Sequence, residues 1–390
     1  MYPHQTERLD GALGRLGVQA IVAAAAANVA YMTGFRRLSR ERAPATEVFA
    51  VYTRSGTALV IPAIEAPALA AGDVDADHVI CYGRIEAELP DHASPMARRA
   101  AELIGAAART GADALGAALR ALGVTDGAIG LDSAPLTEST ARPVAERLAT
   151  AKIHPASAAL AEARMVKAPY EIECLQQALR IAEESINEVL ARLDAGTTER
   201  EAAAVYERAL ERRGARASAT LVAFGPNTAL PVAAPTERAL RTGDLVRFDV
   251  GCVFKGYHAD VARMAVLGEP TARQQARYDA VEAGVATALA TIGPRIPARR
   301  VLDASIAAVR AAGIPAFAAH QVGHGIGLEA AESPWLAADD SLLEAGIVLT
   351  VDVPAYELGM AGIQLKETVL VQNTGAAVMN RSNRGLVVLD

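Results

Sequence analysis

The stretch GDLVRFDVGCVFKGYHADVARM, residues 243–264, constrains this chain more than any other. Two apolar runs flank a turn at Phe254-Lys255-Gly256, the pattern of an antiparallel hairpin. Asp249 and Asp260 stand 11 positions apart across that turn. Pairing then sets them opposite or one step diagonal, on a shared face. Two carboxylates among Phe248, Val250 and Val261 repel one another and cost free energy to bury. A cation between them removes that cost. The alternative is a pair of solvated aspartates on an outer face.

Two further clusters carry candidate chemistry. In AAHQVGHGIGLEAAESP, His320 and His324 are four apart, among Gly323, Gly325 and Gly327, where backbone can approach closely. A neutral imidazole is a metal ligand or a general base, but this spacing lies on no clear helix and makes no zinc-protease motif. In TVDVPAY, Asp352 sits in an apolar strand, where a buried charge requires a partner. The last strand, GIQLKETVLV (residues 362–371), alternates Ile363, Leu365, Val369 and Val371 with polar residues and carries the Lys366–Glu367 pair.

Two domains are expected from 390 residues. Residues 1–160 alternate helical and strand patterns and read as an α/β layer. A helix ends at Gly17, QAIVAAA is a strand, FAVYTRSGTALVI a hairpin, and a long Ala-rich helix covers residues 97–122. Residues 161–390 open on a long amphipathic helix bracketed by Pro169 and Gly196. Strands and hairpins follow, giving an α+β domain with an antiparallel sheet. A net charge of -7 without a basic block excludes nucleic acid and acidic membranes as expected partners. Cys81, Cys174 and Cys252 are odd in number and lack C-x-x-C spacing, which points to a reducing compartment. The polar, acidic start MYPHQTERLDGAL lacks the apolar core of a signal peptide, so the expected location is the cytoplasm.

These motifs stand in a particular order. NVAYMTGF, ARMVKAPYEIECLQQ, GPNTALP, GD-x-V-x-x-D-x-G, Y-x-x-D-x-x-R, GHGIGLE and the GI-x-x-x-x-T-V-L-V strand together resemble the M24 metallopeptidase superfamily over nearly the whole chain. That is the pita-bread fold of Xaa-Pro aminopeptidases, prolidases and creatinase. The resemblance implies a creatinase-type α/β N-terminal domain, an α+β pita-bread C-terminal domain and a homodimer. It also implies two divalent metals held by Asp, Asp, His, Glu and Glu. Those ligand positions fall on Asp249, Asp260, His324, Asp352 and Lys366. The family's two assisting histidines fall on Val232 and Ala331.

An ammonium does not coordinate a metal, and its charge opposes a nearby cation. Lys366 is therefore expected to pair with Asp249 and Asp260 and to supply the cation that they require. The expected cofactor is none, or else one weakly held divalent metal on Asp260, His324 and Asp352. A β-bulge turning Glu367 inward as a substitute ligand would instead preserve a working Xaa-Pro peptidase.

The leading expectation is a metal-independent, creatinase-like enzyme acting on a small C–N or amide-type substrate. His324, or else His320, is the general base. Glu332 holds a cationic group of the substrate, Asp352 holds an imidazole or a substrate nitrogen, and Trp335 lines the pocket mouth. Val232 and Ala331 leave the pocket wide and apolar, which also suits a lyase, isomerase or cyclase of a specialised pathway. A non-catalytic binding protein is the remaining alternative. Arg263 reads as a structural ion-pair residue.

Overall fold

The computed structural model describes residues 3–36, 47–70, 74–134 and 136–390. The chain divides into two compact units, Met1–Arg164 and Met165–Asp390. Among the described residues, no helix is long and apolar enough to cross a membrane.

The first unit is built on a six-stranded mixed sheet. Its strands are β1 (Ala20–Ala23), β2 (Phe49–Thr53), β3 (Gly56–Pro62), β4 (His78–Tyr82), β5 (Gly127–Leu131) and β6 (Ala151–Pro155), in the order β4-β3-β2-β1-β5-β6. The β1–β2 and β2–β3 pairs are antiparallel and the others parallel. The Ala-rich helix expected over residues 97–122 is in fact two, Pro95–Gly105 and Gly111–Ala121. The sheet overrides helix propensity between them. Ala108 donates its N–H to Cys81 O and accepts from Gly83 N, so residues 106–110 run beside β4. Thr110 then restarts the helix by capping the Asp113 N–H.

In the second unit the long helix runs Pro169–Leu190 and ends six residues before Gly196. Pro169 suits its first turn, and the Glu171 carboxylate accepts from the Ala168 N–H. The strands are β7 (Arg216–Phe224), β8 (Leu245–Phe254), β9 (Tyr257–Leu267), β10 (Gln321–Gly325), β11 (Glu332–Ala337), β12 (Val348–Glu357), β13 (Ala361–Gln372), β14 (Gly375–Val378) and β15 (Val387–Leu389). They form two sheets where the sequence suggested one: β11-β10-β12-β13-β14 and β15-β9-β8-β7. All pairs are antiparallel except β15 on β9.

Period-2 alternation assigns each sheet its faces. On β8, Val246, Phe248, Val250 and Cys252 join one core with the helices Pro169–Leu190 and Glu199–Arg212. On β12 and β13, Leu349, Val351, Val353, Ile363, Leu365 and Val369 join another with the helices Ala272–Thr291 and Ala298–Ala311. The polar alternates, Arg247 and Asp249 on one sheet and Asp352, Gln364 and Lys366 on the other, occupy the opposite faces and meet across the gap between the sheets.

Candidate functional site

The β8–β9 hairpin closes through Lys255 and Gly256, both with positive φ (48° and 80°), so Phe254 pairs with Tyr257. This two-residue turn sets the register. Asp249 lies opposite Ala262 and Asp260 opposite Gly251, which makes the two aspartates diagonal neighbours on one face. From the other sheet, Lys366 places its Nζ 2.7 Å from Asp249 Oδ1 and 2.8 Å from Asp260 Oδ1. Burial opposes its charge, but Asp260, Asp352 and Asp249 together outweigh burial and hold its pKa well above the ordinary value.

Asp352 lies directly across from Lys366 on β12, yet its Oδ2 is 3.8 Å from Nζ, beyond a hydrogen bond. Gln364 Nε2 donates to both of its oxygens instead, at 3.1 and 3.3 Å. Burial raises the Asp352 pKa to about 6, opposed by Lys366 and reinforced by Asp249 and Asp260.

His324 pairs with Thr350 on β12 and packs against Trp335 of β11, with ring centroids 5.7 Å apart. Its Nδ1 is 3.0 Å from Gly325 O. A carbonyl only accepts, so Nδ1 is the donor in this bond and Nε2 is the nitrogen turned toward the aspartates. Nε2 faces Asp260 Oδ2 at 3.7 Å. Trp335 is 39% exposed, at the rim of this group.

Several expected site residues lie elsewhere. The β12–β13 register runs without interruption from Val348–Leu370 to Glu357–Ala361, so the bulge that would turn Glu367 inward does not exist. Glu367 shares the face of Leu365 and Val369 and lies 3.1 Å from Arg263. Arg263 also donates to Lys366 O at 2.7 Å, pinning the strand, which accords with its reading as a structural residue. Glu332 does not await a substrate cation. It is buried against Lys167, Oε1 to Nζ 2.8 Å, and Gly327 packs so closely that a side chain there would strike its carboxylate. His320 is exposed ahead of β10 and makes none of the hydrogen bonds or ion pairs of the site. Ala331 and Val232 are exposed, in loops outside any strand.

Three residues of the site escaped sequence reasoning. Arg247, fully buried, donates to Leu230 O (2.7 Å) and Gln364 Oε1 (3.3 Å) and lies over the Tyr356 ring at 5.2 Å. Tyr356 Oη donates to the same Gln364 oxygen at 3.1 Å. The signal was present: Arg247, Gln364 and Tyr356 are two, two and four residues from Asp249, Lys366 and Asp352, and an even spacing keeps a strand residue on the same face.

Residues 173–373 match the model of metallopeptidase family M24, and residues 5–166 match that of the creatinase/prolidase N-terminal domain. The chain belongs to family M24. Among similar proteins, the Xaa-Pro dipeptidase of Pyrococcus furiosus is 29% identical over 227 residues, 57% of this chain and 65% of that protein. An uncharacterized peptidase of Bacillus subtilis is 26% identical over 67% of this chain and 75% of its own length. The match thus spans less than two thirds of the length of the Pyrococcus protein and three quarters of the Bacillus one. Among solved structures, the Xaa-Pro dipeptidase from Bacillus anthracis superposes with a TM-score of 0.82 at 24% identity over 99% of both chains. The X-Pro aminopeptidase from Thermotoga maritima does so with 0.80, also at 24% identity, over 98% of this chain and 99% of its own. These likenesses establish the two-domain pita-bread architecture.

Proposed function

We propose that this M24 chain is a hydrolase of a small amide- or C–N-type substrate, and that the Lys366 ammonium does the electrostatic work assigned to metal ions in the family. The observation that carries this is the Lys366 Nζ contact with Asp249 and Asp260 at 2.7 and 2.8 Å. The donor set does not fit a pair of divalent ions. The group between the two aspartates donates hydrogen bonds and already supplies a positive charge there, and Glu367 faces the wrong side of β13 to replace it. Among the described residues, no three His, Cys, Asp or Glu side chains are grouped to hold a metal.

The chemistry follows from the residues present. His324 Nε2 takes a proton from the attacking water, and Asp260 at 3.7 Å stabilises the imidazolium that forms. Lys366 has three N–H donors and gives two to aspartates. The third is left for the substrate oxygen on which negative charge develops. Trp335 bounds the substrate on the open side of His324. The substrate is a small molecule, and the family resemblance adds a homodimer.

A second reading, a metal-dependent Xaa-Pro dipeptidase, is favoured by the names of the Pyrococcus relatives. One experiment separates the two. Protein purified without chelator is incubated with manganese, cobalt, zinc or iron, analysed for bound metal, and assayed on Xaa-Pro dipeptides and other small amides with and without EDTA. Hydrolysis indifferent to EDTA supports the ammonium reading. About two metals per chain and loss of activity in EDTA would sink it and leave the dipeptidase.

A further inference from the structure

Asp352 and Lys366 are cross-strand partners, so their Cβ atoms are adjacent and nothing in the backbone keeps an aspartate from reaching an ammonium. Yet Lys366 reaches across to the other sheet, and Asp352 turns to its diagonal neighbour Gln364. The orientation of the Gln364 amide is not arbitrary. Its oxygen accepts from Arg247 Nη1 and Tyr356 Oη, and an arginine can only donate, so its NH2 must face Asp352. Arg247 is fixed in turn by Leu230 O, Pro231 O and the Tyr356 ring. A buried cation thus acts on a carboxylate through one neutral amide.

The structure assigns Gln364 the role of a positioning residue that holds Asp352 off Lys366, reserving it, alone of the three carboxylates, for a nitrogen-bound hydrogen of the substrate. Two aspartates suffice to compensate one ammonium. A third drawn onto Lys366 would occupy its remaining donor and close the site. The ligand class is therefore a small molecule bearing an ammonium or amide N–H beside the bond to be cut. This rests on the reading of the site as an ammonium centre and deepens it.

The test uses Gln364→Glu and Gln364→Met in the full chain. Glu keeps the acceptors for Arg247 and Tyr356 but cannot donate to Asp352, and Met, similar in length, keeps neither function. Crystal structures of wild type and both variants report the Asp352–Lys366 distance. We expect it to fall from 3.8 Å to about 2.8 Å, a charge-assisted hydrogen bond, in both variants. Glycyl-glycine, carrying both an ammonium and an amide N–H, is titrated calorimetrically into the same proteins and should bind about tenfold more weakly to the variants. Asp352 left in place in either variant overturns the positioning role, as does unchanged affinity in both. Wild type that leaves the dipeptide unbound while Asp352 moves in both variants counts against the substrate reading and supports the positioning role.

Discussion

Lys366 Nζ lies 2.7 Å from Asp249 Oδ1, and the two residues belong to different sheets. The contact therefore joins the two halves of the C-terminal unit at the point where the M24 resemblance places metal ligands. Lys366→Met removes the cation and leaves Asp249, Asp260 and Asp352 facing one another. We expect a loss of about 3–5 kcal/mol at pH 7, the scale for breaking a buried charge pair. The loss should shrink at pH 5 as carboxylates protonate. Urea unfolding at the two pH values checks both statements, and equal stability of variant and wild type at pH 7 would refute them.

The raised pKa of Asp352 makes folding favour its protonated form. The stabilisation is complete below the unfolded value of 3.8 and is lost as pH rises through about 6. Wild type should therefore lose up to about 3 kcal/mol relative to Asp352→Asn between pH 3.5 and 6.5. Parallel denaturation curves across this window would contradict the assignment.

Glu332 is a structural partner of Lys167, not a substrate ligand, and the energetics should say so. Glu332→Gln or Lys167→Met alone should cost about 3–5 kcal/mol, since each leaves a buried charge uncompensated. The double variant should cost less than the sum of the two, a coupling that a thermodynamic cycle measures directly. Additive losses would mean that the pair is not a unit.

His324→Asn should lower kcat by about 10²–10⁴-fold on any substrate that wild type turns over, the scale of general-base catalysis. His320→Asn should leave kcat unchanged, because His320 is exposed outside the cluster. The opposite result would exchange their roles.

Metal uptake tests the two faces of β13. Lys366→Glu converts the site to carboxylates alone and should bind more manganese or zinc than wild type. Adding Glu367→Gln to that variant should leave the metal content unchanged, because Glu367 faces Arg263. Metal lost with Glu367 would place that side chain on the inner face after all.

Much of this was legible in the sequence because it depends on local periodicity. Alternation in VRFDVG and IQLKETV separates apolar from polar faces and puts Asp249 and Asp260 on one face of a hairpin, while the register, opposite or diagonal, waited on the two-residue turn that the structure shows. Two like charges on one face call for a cation once that face is buried, and Lys366 was identifiable as the candidate. What the sequence could not decide depended on longer-range geometry. The Ala-rich helix divides because a neighbouring strand claims the backbone of Ala108. Glu332 finds Lys167 only through a contact 165 residues away. Asp352 hydrogen-bonds Gln364, itself held by Arg247 from the other sheet, while the ammonium meets Asp249 and Asp260. Hydrophobic patterning specifies a face, but the partner of a buried charge is chosen by the packing that brings two faces together.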